Sequence, residues 1–137
     1  MKYSVIVDDC AVSDVFGSDL PFNLKKEIKR YIKDNVLLLN RIEELIADEI
    51  INGVHPPKVA IITKYDKCEI LKMRYTGLNN AGSSYGFRLI VLVDHINHFG
   101  ILLSIYHKKD KGDLSMNEKN MLKKLCVKYY LSIMKGN

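Results

Sequence analysis

Along this chain the spacing of apolar positions switches between a period of two and a period near 3.6, and the switches mark out the elements. Lys2–Asp8 (KYSVIVD) sets Tyr3, Val5 and Val7 against Ser4, Ile6 and Asp8, which predicts a first strand. From the N-cap residue Asn23, Leu24, Ile28, Tyr31 and Ile32 fall on one helical face, with Lys25, Lys26, Lys29, Arg30 and Lys33 opposite. A second helical pattern runs through Leu38, Ile42, Leu45, Ile46 and Ile50. It stops at Gly53, and Pro56 and Pro57 forbid its continuation. The period then returns to two in Val59–Thr63 (VAIIT) and Cys68–Tyr75 (CEILKMRY), with Tyr65-Asp66-Lys67 as a turn. Thr76–Gly86 is rich in Gly, Asn and Ser and reads as a loop. Phe87–Asp94 is apolar on both faces apart from Arg88, as expected of a central strand. Across the turn HINHFG, Ile101–His107 is its antiparallel partner. Ser115-Met116-Asn117-Glu118 fits the capping box S-x-x-E and opens a last helix ending near Ile133. Its predicted apolar face is Met121, Leu122, Leu125, Tyr129 and Ile133. These elements predict an α+β fold, in which a small antiparallel sheet is covered by an N-terminal helical pair and a C-terminal helix.

Composition changes this picture little. The 137 residues, 47% hydrophobic and 27% charged, suit one domain with a real core. No apolar run approaches the roughly 20 residues of a membrane span. The opening MKYSVIVDDC makes a poor signal peptide, so a cytoplasmic protein is expected. Cys10, Cys68 and Cys126 are far apart and form no C-x-x-C pair. Neither a disulfide framework nor a zinc site is indicated, and each reads as a small buried hydrophobe.

Charge adds more. A net +5 suits an anionic partner. By strand alternation Ile70, Lys72 and Arg74 share one face, and Ser104, Tyr106 and Lys108 share another, with His107 pointing the opposite way. Arg88 opens the central strand. If both neighbours flank that strand, Lys72, Arg74, Arg88, Tyr106 and Lys108 converge at one end of one face as a phosphate-binding groove. Each residue also has a plainer reading. Lys72 and Arg74 suit the solvated face of an edge strand, and Arg88 could pair with Asp94 or Asp110. Tyr106 suits a core tyrosine with its hydroxyl at the rim, His107 a surface histidine, and KKDKGD a charged loop. Only the convergence carries the hypothesis.

Other chemistry is weakly signalled. AGSSYG lacks the lysine and helix of a nucleotide-binding loop, and no G-x-S-x-G stands out. His95 and His98 flank a turn with Asp94 nearby, where a polar turn outweighs a metal site. No cofactor is implied.

Gly86-Phe87-Arg88, followed by a strand ending Ile105-Tyr106-His107-Lys108-Lys109-Asp110 and a polar-capped helix, resembles the second half of RelE-like toxins of bacterial type II toxin–antitoxin modules. Lys72 and Arg74 resemble that family's basic strand, and the element order β-α-α-β-β-β-α is similar along most of the chain. The resemblance implies a single RelE-like domain over residues 1–137. It also implies a metal-independent endoribonuclease that cuts mRNA, typically on the ribosome, by 2′-hydroxyl attack to leave a 2′,3′-cyclic phosphate. On that reading Arg88 and Arg74 stabilise charge and Lys72 or Lys108 serves as base. Tyr106 stacks on a nucleobase or orients the nucleophile, His107 is a candidate acid, and Lys64, Lys109 and Lys111 contact RNA. Its partners would be mRNA, the ribosome and a cognate antitoxin, often one with a helix-turn-helix domain. Val91 stands where many relatives carry tyrosine. The alternatives are a ParE-like toxin acting on gyrase without nuclease activity, and a non-catalytic RNA- or protein-binding module on the same scaffold.

Overall fold

In the computed structural model the described residues are 3–6, 40, 43–44, 59–75, 87–107 and 112–135. They form an α+β arrangement of strands β1 (Ser4–Ile6), β2 (Val59–Tyr65), β3 (Cys68–Tyr75), β4 (Phe87–Asp94) and β5 (Phe99–His107), followed by helix α1 (Met116–Lys135). Asn40, Glu43 and Glu44 are helical, and the remainder of the expected N-terminal helical pair lies outside the described residues. So do Cys10 and the loop at 76–86. Among the described residues no helix is long and apolar enough to cross a membrane.

The sheet has five strands in the order β1-β5-β4-β3-β2. It is mixed, which corrects the expectation of an antiparallel sheet, because β1 joins the edge beside β5 and runs parallel to it. A period of two separates strands from helices but says nothing of direction. Four strands follow the helical segment, as the four period-two stretches predict, one more than the RelE-like order carries. VAIIT forms a strand of its own, joined to β3 through the turn at Asp66 and Lys67. Asp66 takes a positive φ of 52° there, a conformation Asp tolerates better than most residues.

Both faces of the central strands are buried. Ile70, Ile90, Leu92, Leu103 and Tyr106 pack against Leu122, Leu125, Cys126 and Tyr129 of α1. On the other face Leu71, Met73, Leu89, Val91, Val93 and Leu102 are also fully buried. That is why β4 reads as a near-continuous apolar run.

The capping box forms as expected. Glu118 N–H donates to Ser115 Oγ at 3.1 Å, and Ser115 N–H donates to Glu118 Oε1 at 2.9 Å. One expected core residue is misplaced, since Met121 is 37% exposed while Cys126 takes a buried position. The buried stripe of α1 runs through Leu122, Leu125, Cys126 and Tyr129, and Met121 sits at its edge.

Candidate functional site

Register brings the charged residues together. On β3 and β4, Arg74 stands directly opposite Arg88, and across the next pair Arg88 stands opposite Tyr106 of β5. The three form one row across three strands, on the face that α1 covers. Side chains opposed in this way start about 5 Å apart. Lys72 lies two residues back along β3, roughly 7 Å away, in the next row with Ile90 and Ser104.

A β-bulge makes this row possible. Leu92 pairs with Ile101 and Ile90 with Ser104, so β5 carries one extra residue, Leu103. Strict alternation from Ile101 would have sent Tyr106 to the far face. The bulge shifts parity by one and returns Tyr106 to the side of Arg88, as bulges near functional sites commonly re-aim a side chain.

The environment of each member differs. Arg74 is exposed, whereas Arg88 is 6% exposed. Burial pushes the Arg88 guanidinium below its ordinary value, and the neighbouring charge of Arg74 pushes it further. Tyr106 and Asp113 act in the opposite sense. Like charges directly opposite on a sheet are destabilising, so this row is a poor choice for stability alone. Lys72 is partly exposed, and its Nζ lies 3.7 Å from the carboxylate of Asp113.

Several expected roles change. Tyr106 is 2% exposed and belongs to the core cluster, so its ring is not free to stack on a nucleobase. What it brings to the row is a hydroxyl-bearing wall beside Arg88. Lys72 sits against a carboxylate, which suits a phosphate-binding cation better than a base. Lys64 pairs with Glu69, five residues along β3 from Arg74 and roughly 17 Å away, so it belongs to the other end of the sheet. His107 pairs with Phe87, one step beyond the row and therefore on the opposite register face. Its side chain, like Lys108, Lys109 and Lys111, lies outside the described residues. The proposed pairing of Arg88 with Asp94 does not form, because Asp94 ends the same strand. Asp110 is outside the described residues.

The other end of the sheet holds two networks that sequence reasoning missed. Asp94 is fully buried and accepts hydrogen bonds from Ile96 N–H at 2.8 Å, Asn97 N–H at 3.0 Å and Asn97 Nδ2 at 2.9 Å. The hydroxyl of Tyr129 on α1 donates to it at 2.7 Å. Burial pushes its carboxyl up, but these hydrogen bonds outweigh burial and hold it below the ordinary range. The same contact and the same burial raise the Tyr129 phenol. On the opposite face, the Tyr3 hydroxyl hydrogen-bonds His95 Nδ1 at 2.8 Å, and His95 Nε2 hydrogen-bonds Glu69 Oε1 at 3.1 Å. Burial, with the charges of Glu69 and Asp94, raises the Tyr3 phenol and keeps it protonated. A signal was present: Glu69 is an acid on an otherwise apolar strand face, beside Leu71 and Met73. The network holds the three-residue strand β1 to β3 and to the β4–β5 turn.

Cys68 and Cys126 are fully buried. Burial is the main cause that pushes their thiols up, to about 12 and about 11, so they are inert packing groups at neutral pH.

Compared with protein-family models, with curated proteins and with solved structures, the chain gives no match. The reading of this site therefore rests on its residues and their geometry.

Proposed function

We propose that the Arg74–Arg88–Tyr106 row, with Lys72 beside it, is the phosphate-binding centre of a RelE-like toxin. The protein would be a metal-independent endoribonuclease acting on mRNA, on the ribosome. The finer RelE arrangement, with an N-terminal helical pair over the sheet, belongs to this proposal. One observation carries it: two guanidinium groups stand in register on adjacent strands, where burial and then the charge of Arg74 disfavour the charged form of Arg88, and an anion set between them would favour it.

In this reading Arg88 and Arg74 grip the non-bridging oxygens of the scissile phosphate. Arginine does this with paired N–H donors. Charge grows on those oxygens as the ribose 2′-hydroxyl attacks, so the arginines bind the transition state more tightly than the ground state. The bond formed is 2′-O to phosphorus and the bond broken is phosphorus to 5′-O. The products are a 2′,3′-cyclic phosphate and a free 5′-hydroxyl. Lys108 is the candidate base, with Lys109 and Lys111 as RNA contacts, and His107 would serve as acid only where the strand end turns its side chain toward the row. A cognate antitoxin would cover the groove in the inactive complex.

A non-catalytic RNA-binding module is the second reading. It is favoured by the burial of Tyr106 and by the Lys72–Asp113 contact, which suit binding more than proton transfer. Induced expression separates the cases. The proposal expects translation to stop, mRNA fragments to carry 2′,3′-cyclic phosphate ends, and Arg88→Ala to abolish both while circular dichroism stays unchanged. DNA damage with intact transcripts would favour a gyrase-directed toxin. Neither effect would favour the binding module.

A further inference from the structure

Beside the arginine row a cleft of about 270 Å³ opens between the β2–β3 edge and the first turns of α1. Its charged lining is Lys72 from β3, Lys119 from α1 and Asp113 from the segment between β5 and α1. Its apolar lining includes Ala60, Ile61 and Ile62 of β2. Ala60 stands in register with Lys72 on the cleft's face, Ile62 packs half-buried against the core there, and Ile61, in register with Leu71, falls on the opposite face.

Two features of this cleft bear on what it holds. Two ammonium groups from different elements face the same space, yet the carboxylate that meets Lys72 at 3.7 Å is 94% exposed. An ion pair so open to water is weak and gives way readily to a stronger anion. A phosphate is such an anion, with three oxygens and more charge than one carboxylate. Beside the lysines, Ala60 and Ile62 of β2 offer an apolar surface on which a flat nucleobase loses water.

We propose that this cleft is a nucleotide subsite flanking the arginine row, in which Lys72 and Lys119 bind a phosphate, β2 receives the attached base, and Asp113 stands in for that phosphate until RNA displaces it. The proposal rests on the RNA-directed reading of the row and adds Lys119, Ile62 and Asp113 to it. Asp113 is thus an internal competitor. Its charge also supports that of Arg88, so the same carboxylate screens both cationic groups while the cleft is empty of ligand.

The test is isothermal titration of the full chain with adenosine 3′,5′-bisphosphate and, separately, inorganic pyrophosphate. Removing the competitor in Asp113→Asn should tighten bisphosphate binding by about threefold or more, and losing one phosphate contact in Lys119→Ala should weaken it by about fivefold. Ile62→Ala should weaken the bisphosphate but leave pyrophosphate unchanged. Lys119 and Asp113 are exposed, and their variants should melt as the wild type does. Bisphosphate affinities of Asp113→Asn and Lys119→Ala equal to wild type would overturn the subsite, even if RNA were cleaved in an Arg88-dependent way. Shifted affinities in a protein that cleaves no RNA would uphold the subsite and overturn the nuclease reading instead.

Discussion

The two ends of β4 bury opposite charges in opposite ways. Asp94 closes the strand and Arg88 lies next to its start, both on the face that α1 covers. Around Asp94 the protein supplies main-chain donors, an amide and a phenol, and the carboxyl ends below its ordinary value despite burial. Its charge is favoured by the fold. Around Arg88 the fold supplies burial and a second guanidinium, and the group ends below its ordinary value, so its charge is disfavoured. Burial thus meets a ring of donors around the carboxylate at one end and a second cation beside the guanidinium at the other. A buried charge that is satisfied stabilises the fold. A buried charge set against its like is better placed to receive a ligand than to hold a sheet together.

The sharpest way to break this comparison is to remove one charge from each end. Arg88→Ala should lower RNA cleavage by about 10²-fold or more, the effect of losing one preorganised charge-stabilising group. It should cost little activity-independent structure by circular dichroism. Asp94→Ala should do the reverse, lowering stability by roughly 3 kcal/mol in urea unfolding because buried donors lose their acceptor. Tyr129→Phe, which removes one donor to Asp94, should cost about 1–2 kcal/mol in the same assay.

Acid sharpens the contrast further. Because Asp94 is held below its ordinary value, 3.8, its contribution is complete above about pH 5. It should fade as pH falls through the folded value. Unfolding free energy measured from about pH 6 downward should therefore decline more steeply in the wild type than in Asp94→Asn. The smallest effect is expected at the partner arginine. Arg74→Met removes a like charge opposite Arg88 and should leave stability unchanged or raise it by about 0.5 kcal/mol, while weakening RNA binding. A residue whose loss stabilises the protein and impairs its ligand is the signature the comparison requires.

Strand parity explains why much of the row was visible in the chain. Ile70, Lys72 and Arg74 alternate cleanly, and β3 and β4 have the expected bounds, so the Arg74–Arg88 pairing needed only the right neighbours. The capping box was equally visible, because its two hydrogen bonds are local to four residues. Tyr106 shares the row's face through its parity with Ser104, which was legible, whereas the bulge at Leu103 that sets this parity against Ile101 was not. Burial of its ring depended on how α1 packs. The parallel pairing of β1 with β5 and the Tyr3–His95–Glu69 chain join residues more than 90 positions apart at their ends, where alternation carries no information. Lys64, expected as an RNA contact, stands in register at the far end of the sheet from the row, a position that only strand pairing reveals.

The central claim is that the arginine row is an RNA phosphate site rather than a structural oddity. It is tested most directly by fluorescence anisotropy with a short 2′-O-methyl RNA, which cannot be cleaved, at fixed ionic strength. The account predicts that the wild type binds, that affinity falls as salt rises, and that Arg74→Ala/Arg88→Ala binds at least about tenfold more weakly with its fold intact. Equal affinity in the wild type and the folded double variant would contradict it.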